Sequence, residues 1–165
     1  MAEYRGMLLS VAENDNEHHG YFEAAREHRL VVQQCDGCDK LRWELGPSCP
    51  WCLSMAWHWQ AVSGKGTIYS YQIVCQAIQP GFLDWAPYPI VLVELDEQRG
   101  EPTPDEALRI VMNLVDANFN PEKQENIAIG KRVEVTFLDV DATFALPQWR
   151  LSPDQPSVGL WKFPG

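Results

Sequence analysis

A mainly β fold is predicted for this chain by two closely spaced pairs of cysteines and by a series of five β-type segments that follow them. The expected architecture is an N-terminal helix, a rubredoxin-like zinc ribbon and a C-terminal five-stranded OB-fold barrel. The length of 165 residues suits one compact domain or two small ones that share an interface. We therefore divide the chain into an N-terminal segment and helix (1–30), the ribbon (31–62), the OB-fold (63–151) and a flexible or partner-docking tail (152–165).

The helix is predicted over residues 17–30, because alanines and mixed charges there favour helical backbone. Tyr21, Phe22, Ala25 and Leu30 give this segment an apolar stripe. Residues 1–16 are polar apart from one short apolar patch. We expect them to be loose or docked on another part of the molecule.

The cysteine pairs are Cys35 and Cys38, then Cys49 and Cys52, each in a C-x-x-C motif and separated by ten residues. Two tight turns can each present two sulfurs to one tetrahedral Zn²⁺, which predicts a structural site of four thiolates. One alternative is a redox pair at Cys49 and Cys52, but that function calls for a single motif in a βαβ unit. The other is two disulfides, which a reducing compartment would keep open. A site with four protein ligands leaves no position for water or substrate, so the predicted metal is not catalytic.

The two cysteine turns differ in the residue that follows the second cysteine, where a positive φ is often needed. Asp39 tolerates that conformation, whereas Leu53 adopts it reluctantly. The second turn is therefore expected to be strained or differently shaped. A rubredoxin-like site of this kind also accepts iron.

The strands are predicted from alternation of apolar and polar residues. Leu41, Trp43 and Leu45 indicate one ribbon strand, and Trp57 and Trp59 indicate another. Five further strands are predicted over residues 67–77, 90–95, 108–115, 132–140 and 143–151, which suits a small closed barrel, with a sandwich as the alternative. Cys75 falls inside the first of these segments and is expected to be a small buried apolar residue.

The net charge of −10 disfavours nucleic acid as a partner, because neutralisation of phosphates dominates such binding. Residues 26–65 carry five basic and four acidic side chains, whereas residues 96–125 carry three basic and eight acidic ones. An anionic ligand would therefore meet least repulsion near the ribbon. No run approaches the roughly 18 apolar residues of a membrane span, and no basic-then-apolar leader begins the chain. We expect a cytoplasmic protein with no membrane partner.

Several motifs occur in a characteristic order along residues 21–151. They are Phe22-Glu23-Ala24-Ala25-Arg26, the cysteine set with Leu41-Arg42-Trp43, Gly64-Lys65-Gly66-Thr67-Ile68-Tyr69-Ser70-Tyr71, Pro87-Tyr88 before Val91-Leu92-Val93-Glu94-Leu95-Asp96, Ile129-Gly130 before the segment of Val133, and Leu146-Pro147-Gln148-Trp149-Arg150. In this order the chain resembles the acyl-CoA-associated zinc-ribbon/OB-fold family, long known as a domain of unknown function.

This resemblance implies a non-catalytic companion of a thiolase-fold enzyme. Such enzymes include thiolases, hydroxymethylglutaryl-CoA synthase and the thiolase-like aldolases that shorten steroid side chains. The ribbon and barrel would help to hold a CoA thioester for the partner's active site. The chain departs from the family at two places: Glu44-Leu45-Gly46 stands where Pro-Pro-Arg is common, and the loop over residues 97–108 is longer.

No nucleophile elbow, phosphate loop or paired-carboxylate motif is found in the sequence. We therefore predict an accessory subunit, without catalytic residues of its own, that binds a thiolase-like enzyme and an acyl-CoA, in a heterotetramer built on the enzyme's dimer. The alternative is a single-stranded nucleic-acid-binding module, since both folds host that function. A zinc enzyme is opposed by the saturated ligand set.

Two sets of residues are predicted to carry this function. Basic side chains can donate charge-assisted hydrogen bonds to CoA phosphates, and aromatic residues are enriched at the energetic centres of interfaces. The predicted CoA-facing residues are Lys40, Arg42, Lys65, Lys131, Arg132 and Arg150, and the predicted partner-facing residues are Trp43, Trp57, Trp59, Phe82, Trp85, Trp161 and Phe163.

Overall fold

A computed structural model describes residues 2–12, 14–100 and 103–163. Within these ranges there are one α-helix, ten strands and three short 3-10 turns. The helix is α1 (Asn16–Arg26), and the turns are Pro80–Phe82, Pro104–Glu106 and Gln124–Asn126. The strands are β1 (Ala2–Tyr4), β2 (Met7–Leu9), β3 (Val31–Cys35), β4 (Leu41–Arg42), β5 (Trp57–Ala61), β6 (Lys65–Val74), β7 (Tyr88–Leu95), β8 (Arg109–Asn113), β9 (Arg132–Asp141) and β10 (Phe144–Leu151).

The N-terminal residues form a small hairpin in which β1 pairs with β2 in antiparallel register. Arg5 anchors the hairpin, because its Nε donates to the carbonyl of Gly81 at 2.5 Å and its guanidinium pairs with Asp84 at 2.7 Å. The same guanidinium lies over the rings of Phe82 and Trp85. This segment is therefore docked on the loop before β7, through a strand pair too short for sequence alternation to reveal.

Helix α1 ends four residues earlier than the sequence predicts, at Arg26. The chain leaves the helix through His28, which has a φ of 55°. The N–H of His28 donates to the carbonyl of Ala25, and the N–H of Arg29 donates to that of Ala24, both at 2.9 Å. This is the Schellman arrangement of a helix end, here built on a histidine where a glycine would give a clear sequence signal.

The ribbon is a three-stranded sheet in the order β4-β3-β5. The predicted strand over Leu41, Trp43 and Leu45 is wrong beyond Arg42, where β4 ends. The chain turns there because Glu44 has a φ of 70° and because the Arg42 guanidinium donates to two carbonyls of the following loop, those of Gly46 and Ser48.

The OB-fold domain contains the predicted five strands in one sheet, in the order β10-β9-β6-β7-β8, and not in the two sheets of a sandwich. The sheet is not closed into a barrel by a continuous ladder. Among the described residues, its edge strands meet at a parallel bridge between Leu114 and Trp149, where the N–H of Val115 donates to the Trp149 carbonyl at 2.8 Å. β8 ends at Asn113, so little strand remains to extend this contact.

The core of the molecule lies inside the curved sheet around Trp149, whose ring is fully buried and whose Nε1 donates to the carbonyl of Ile110 at 3.3 Å. Helix α1 packs outside the sheet, where Phe22 contacts Phe144 with ring centroids 4.9 Å apart. The expectation for Cys75 is wrong: β6 ends at Val74, and Cys75 is exposed.

The tail runs along the OB-fold domain as far as residue 163. The N–H of Ile129 donates to the carbonyl of Trp161 at 2.8 Å, and the N–H of Trp161 donates back at 3.0 Å. Gln155 Nε2 donates to the carbonyl of Arg132 at 2.8 Å, and its Oε1 accepts from the Arg132 N–H at 3.0 Å. In the part of the chain described here, the single α-helix is too short to span a membrane.

Candidate metal centre and binding surfaces

The two cysteine turns have the same backbone shape. The N–H of Asp39 donates to the carbonyl of Cys35 at 2.9 Å, and that of Leu53 donates to the carbonyl of Cys49 at 3.0 Å. The φ angles are 59° at Asp39 and 62° at Leu53. A positive φ after each second cysteine is thus confirmed. The expected difference in shape is not found, and Leu53 reaches this conformation with its side chain 76% exposed.

The four cysteine sulfurs form a compact cluster. Cys35 Sγ lies 3.5 Å from Cys52 Sγ, Cys38 Sγ lies 3.7 Å from Cys49 Sγ, and the four atoms are all within 4.8 Å of one another. Bonds of about 2.3 Å to a tetrahedral zinc would place neighbouring sulfurs about 3.8 Å apart. These separations exceed the S–S bond of about 2.05 Å in a disulfide. The donor set therefore fits one Zn²⁺.

The four thiols are so close together that the ionisation of each depends on the state of the others. Burial raises the pKa of Cys49, but the N–H groups of Cys52 and Trp51 outweigh it and lower the pKa to about 6. The Lys40 N–H lowers the pKa of Cys38, but burial and the neighbouring sulfurs together raise it to about 12. Four thiolates this close need a central cation to neutralise their mutual repulsion.

The histidines near the ribbon have partners other than the sulfur cluster. His58 Nδ1 contacts Asp36 Oδ1 at 2.6 Å, and His18 Nδ1 contacts Asp15 Oδ1 at the same distance. Both rings lie outside the group of four potential ligands found in the described ranges. Within the described ranges, the group of potential metal ligands at this centre therefore consists of the four cysteines.

The predicted CoA-facing residues fall into separate groups. Lys65, Arg132 and Arg150 lie at neighbouring positions of the OB sheet, because Lys65 pairs with Glu134 and Arg150 pairs with the same residue from the other side. Arg150 contacts Glu134 at 3.3 Å. These residues share one face, since directly opposite residues of paired strands point the same way.

Asp96 holds the Arg132 side chain on the same face of the OB sheet. It accepts hydrogen bonds from both terminal nitrogens of Arg132, one of them at 2.7 Å, and Arg132 also donates to Thr67 Oγ1 at 2.9 Å. These hydrogen bonds are the main cause of the lowered pKa of Asp96, with the Coulombic attraction of Arg132 and Arg99 adding to it. Lys65 is exposed and makes no ion pair with any residue in the described ranges.

The other three predicted CoA-facing residues lie elsewhere. Lys131 donates through Nζ to the carbonyl of Asn126 at 2.5 Å. On the ribbon, Lys40 pairs with Glu106 and lies 5.4 Å from the centre of the Trp51 ring. Arg42 is 3% exposed and donates to backbone carbonyls, so its place is inside the ribbon.

Most of the predicted partner-facing aromatic residues pack within the chain. Trp43 and Trp59 pack partly against the core, and the Trp59 ring fills the space beside Gly20 of α1. Trp57 contacts Trp59 edge to face, with centroids 5.2 Å apart. Trp85 is 8% exposed and contacts Phe82 at 5.4 Å.

The tail carries the exposed members of the predicted set. Trp161 is 48% exposed and Phe163 is 57% exposed, and their ring centroids lie 4.8 Å apart. Exposed Val158 and Leu160 extend this tail patch, defined as Val158, Leu160, Trp161 and Phe163. Its backbone is fixed on Ile129, so its side chains are presented on an ordered segment.

A second exposed apolar group lies at the tip of the ribbon and was not in the predicted set. Trp51, Leu53 and Met55 are exposed around the second cysteine turn. The signal that could have revealed them is their position in a turn held by zinc, because a metal-held turn has no core in which to bury them.

Comparison with known proteins gives two adjoining family matches. Residues 22–57 match the ChsH2 rubredoxin-like zinc ribbon domain, and residues 59–138 match the ChsH2 C-terminal OB-fold domain. A solved structure described as an Ltp2-ChsH2(DUF35) aldolase is similar with 33% sequence identity and a TM-score of 0.67, covering 86% of this chain and 98% of that one.

Two further relatives extend the comparison. A DUF35-family protein of unknown function from Sulfolobus solfataricus has a TM-score of 0.50 at 11% identity, covering 84% of this chain and 87% of that one, which supports the fold alone. The probable enoyl-CoA hydratase alpha subunit of Thermomonospora curvata is 38% identical over 130 residues, or 79% of this chain. This chain spans 36% of the length of that protein.

Proposed function

Because this chain belongs to the ChsH2 family of zinc-ribbon and OB-fold proteins, we propose that it is a non-catalytic accessory subunit of an acyl-CoA-processing enzyme. The partner in this proposal is a thiolase-fold enzyme that carries the catalytic residues. The observation that carries the proposal is the likeness, at 33% identity, to 98% of a chain in an Ltp2-ChsH2(DUF35) aldolase structure.

The metal centre supports a structural and not a catalytic part for the zinc ribbon. Its zinc site uses four protein sulfurs, which is the ligand count of closed structural sites. The metal therefore fixes the two turns and the exposed Trp51, Leu53 and Met55 beside them. In the proposed complex these side chains form one contact region and the tail patch forms another.

Contact with an acyl-CoA is assigned in this proposal to the face of the OB sheet that carries Lys65, Arg132 and Arg150. These cations are near one another, and two carboxylates, Glu134 and Asp96, hold the two arginines in place. A CoA phosphate would meet Lys65 first, because it is the exposed member of the group. Lys40 and Lys131 remain proposed contacts, whereas Arg42 is engaged within the ribbon.

A second candidate partner is an enoyl-CoA hydratase. It is favoured by the 38% identity to a protein called a probable enoyl-CoA hydratase alpha subunit, of which this chain matches about a third. In either case the substrate class is an acyl-CoA. The nucleic-acid alternative is less favoured, because a net charge of −10 opposes the neutralisation of many phosphates along a strand.

The proposal is tested by co-expressing the full chain with a thiolase-fold enzyme of the same organism and measuring the mass of the complex and the affinity of the two chains. We expect a heterotetramer built on the enzyme's dimer. Trp161→Ala should weaken association by more than about 1 kcal/mol, as loss of an interface aromatic does. The control is Ile78→Ala, at a residue that is 95% exposed outside both apolar groups. No complex with either the thiolase-fold enzyme or a hydratase would refute the proposal.

A further inference from the structure

One long strand of the OB sheet is paired on both sides along only part of its length. β6 pairs with β7 from Gly66 to Val74, but it pairs with β9 only from Lys65 to Thr67. Ile68 is the last residue tied to that side, through its N–H to Lys131 and its carbonyl to Gly130. Beyond it, no strand of the described residues pairs with this side of β6, so the second half of β6 has an open edge there.

The hydrogen-bond directions show which backbone groups face this edge. Ile73 lies opposite Pro89 on β7, and the Pro89 carbonyl accepts a hydrogen bond from Leu114 on the far side. Ile73 and Pro89 are therefore a non-hydrogen-bonded pair, so the N–H and C=O of Ile73 point away from β7. Tyr71, two residues earlier, points the same way because the strand has a period of two.

These four backbone groups have no backbone partner within the described ranges. The one contact they make is weak: the Cys75 thiol approaches the Ile73 carbonyl at 3.8 Å. An unpaired strand edge is a template for another strand, and natural proteins block such edges with charges, prolines or bulges. The open stretch, Tyr71-Gln72-Ile73, carries no charge and no proline, and the register shift of β6 lies before it, between Ile68 and Ser70.

A groove of about 590 Å³ runs beside this edge. Tyr71, Ile73, Ile127 and Phe163 line it, together with polar side chains from the same segments. The end of the tail is held beside the groove, since the N–H of Phe163 donates to the Tyr71 hydroxyl at 3.0 Å.

We infer that this groove binds an extended segment of the partner enzyme, which adds to the free edge of β6 as a further strand. The inference deepens the proposed function and rests on it for the identity of the partner. Its chemistry comes from the structure: an alternating row of backbone donors and acceptors is matched by another backbone. Because Ile127 and Phe163 line the groove, the segment should carry apolar side chains at alternate positions.

A second copy of this chain is a poorer occupant. Pairing of two β6 edges would require each edge to approach the other directly. Here the groove is lined, together with the edge, by Gln124, Glu125, Ile127, Lys162 and Phe163. The same residues of a second copy would have to be accommodated beside them. A single extended segment needs less room in such a groove than a second folded sheet does, so we favour the segment.

The test uses a matched pair of variants in the full chain. Ile73→Pro removes the outward N–H, and proline is tolerated at an edge position whose N–H faces solvent. Ile73→Val loses side-chain carbon as well but retains that N–H. We expect Ile73→Pro to weaken binding of the thiolase-fold enzyme by about tenfold, the size of one lost hydrogen bond, and Ile73→Val to bind like wild type. Equal affinities for the two variants would overturn the inference.

A second probe separates this inference from the proposed function. Random 12-residue peptides displayed on phage are selected against the wild-type chain, and amide hydrogen exchange is measured with each selected peptide. Peptides with alternating apolar residues that slow exchange at Tyr71 and Ile73, and that fail to bind Ile73→Pro, would support the groove even if no enzyme complex forms. If an enzyme complex forms but leaves exchange at both amides unchanged, and no such peptide is selected, the inference is wrong and the proposed function stands.

Discussion

At the scale of single residues, the cysteine cluster shows how ligand geometry is set by backbone turns. Each turn ends on a residue with positive φ, and one of them is a leucine. The positive φ of Leu53 costs conformational free energy. Binding of the metal by both cysteines of this turn offsets that cost. A closed zinc site contributes its binding free energy directly to folding of the ribbon.

We predict that Cys38→Ser lowers the zinc content from about one ion per chain to a small fraction of that value, because three thiolates leave the site open. The ribbon should unfold locally, while the OB sheet retains its structure. Elemental analysis for zinc and iron, with tryptophan fluorescence, measures both effects. Cys75→Ser is the control, since Cys75 lies outside the cluster. The assignment would be contradicted if the wild-type protein contained neither zinc nor iron and had four free thiols at these positions.

The ion pair between Asp96 and Arg132 gives a prediction for pH. The pKa of Asp96 is lowered from its ordinary value of 3.8, chiefly by hydrogen bonds from Arg132. The folded-state pKa thus lies below the unfolded one, so the pair stabilises the fold above pH 3.8 and this contribution is lost as the pH falls through the folded value.

Asp96→Asn should therefore reduce the free energy of unfolding at pH 7 by about 0.5–1 kcal/mol, a modest value because the pair is partly exposed. The difference from wild type should shrink below pH 3.8. Urea denaturation at several pH values measures it, with Asp154→Asn as the control at an exposed carboxylate. A deficit that stays constant down to pH 2 would show that the ion pair is not its source.

At the scale of elements, the tail depends on a close approach of two glycines. Gly130 has a φ of 91°, and a Cβ there would lie 2.4 Å from the carbonyl oxygen of Gly159. Gly159 also has a positive φ, of 77°, but a Cβ there would meet nothing within 4 Å. An alanine at either position would pay the conformational cost of a positive φ, but only at Gly130 would its Cβ also clash with a neighbouring atom.

Gly130→Ala is therefore predicted to cost about 1–3 kcal/mol more in stability than Gly159→Ala, because only the first overpacks a contact. Thermal unfolding of both variants measures this difference. The tail should also loosen in Gly130→Ala, which faster amide exchange at Trp161 would reveal. Equal stability of the two variants would mean that the tail does not lie where the structure places it.

Elements with strong local signals could be predicted from the sequence. Element ends and side-chain burial that depend on tertiary contacts could not. Five strands of the OB sheet and the four ligands follow from alternation and from C-x-x-C spacing. The end of β4 could not be predicted, because it depends on Arg42 reaching the carbonyls of Gly46 and Ser48. The helix end at His28 was missed because a non-glycine residue takes the left-handed position. Burial of Trp85 depends on contacts with Phe82, Tyr88 and the distant Arg5.

At the scale of the whole molecule, the chain combines a metal-fixed tip, an ordered apolar tail and a groove beside an unpaired strand edge. All three present binding groups on backbone that is already fixed, which lowers the entropic cost of association. In the proposed function the enzyme carries the reacting groups, and this chain contributes binding contacts to the enzyme and to the acyl-CoA.

The most direct measurement of that claim is the turnover of an acyl-CoA substrate by three samples: the thiolase-fold enzyme alone, this chain alone and the two together. We predict no turnover by the chain alone and a higher rate for the mixture than for the enzyme alone, with the gain reduced by Trp161→Ala. Turnover by the isolated chain at the rate of a complete enzyme, or a mixture no faster than the enzyme alone, would contradict the account.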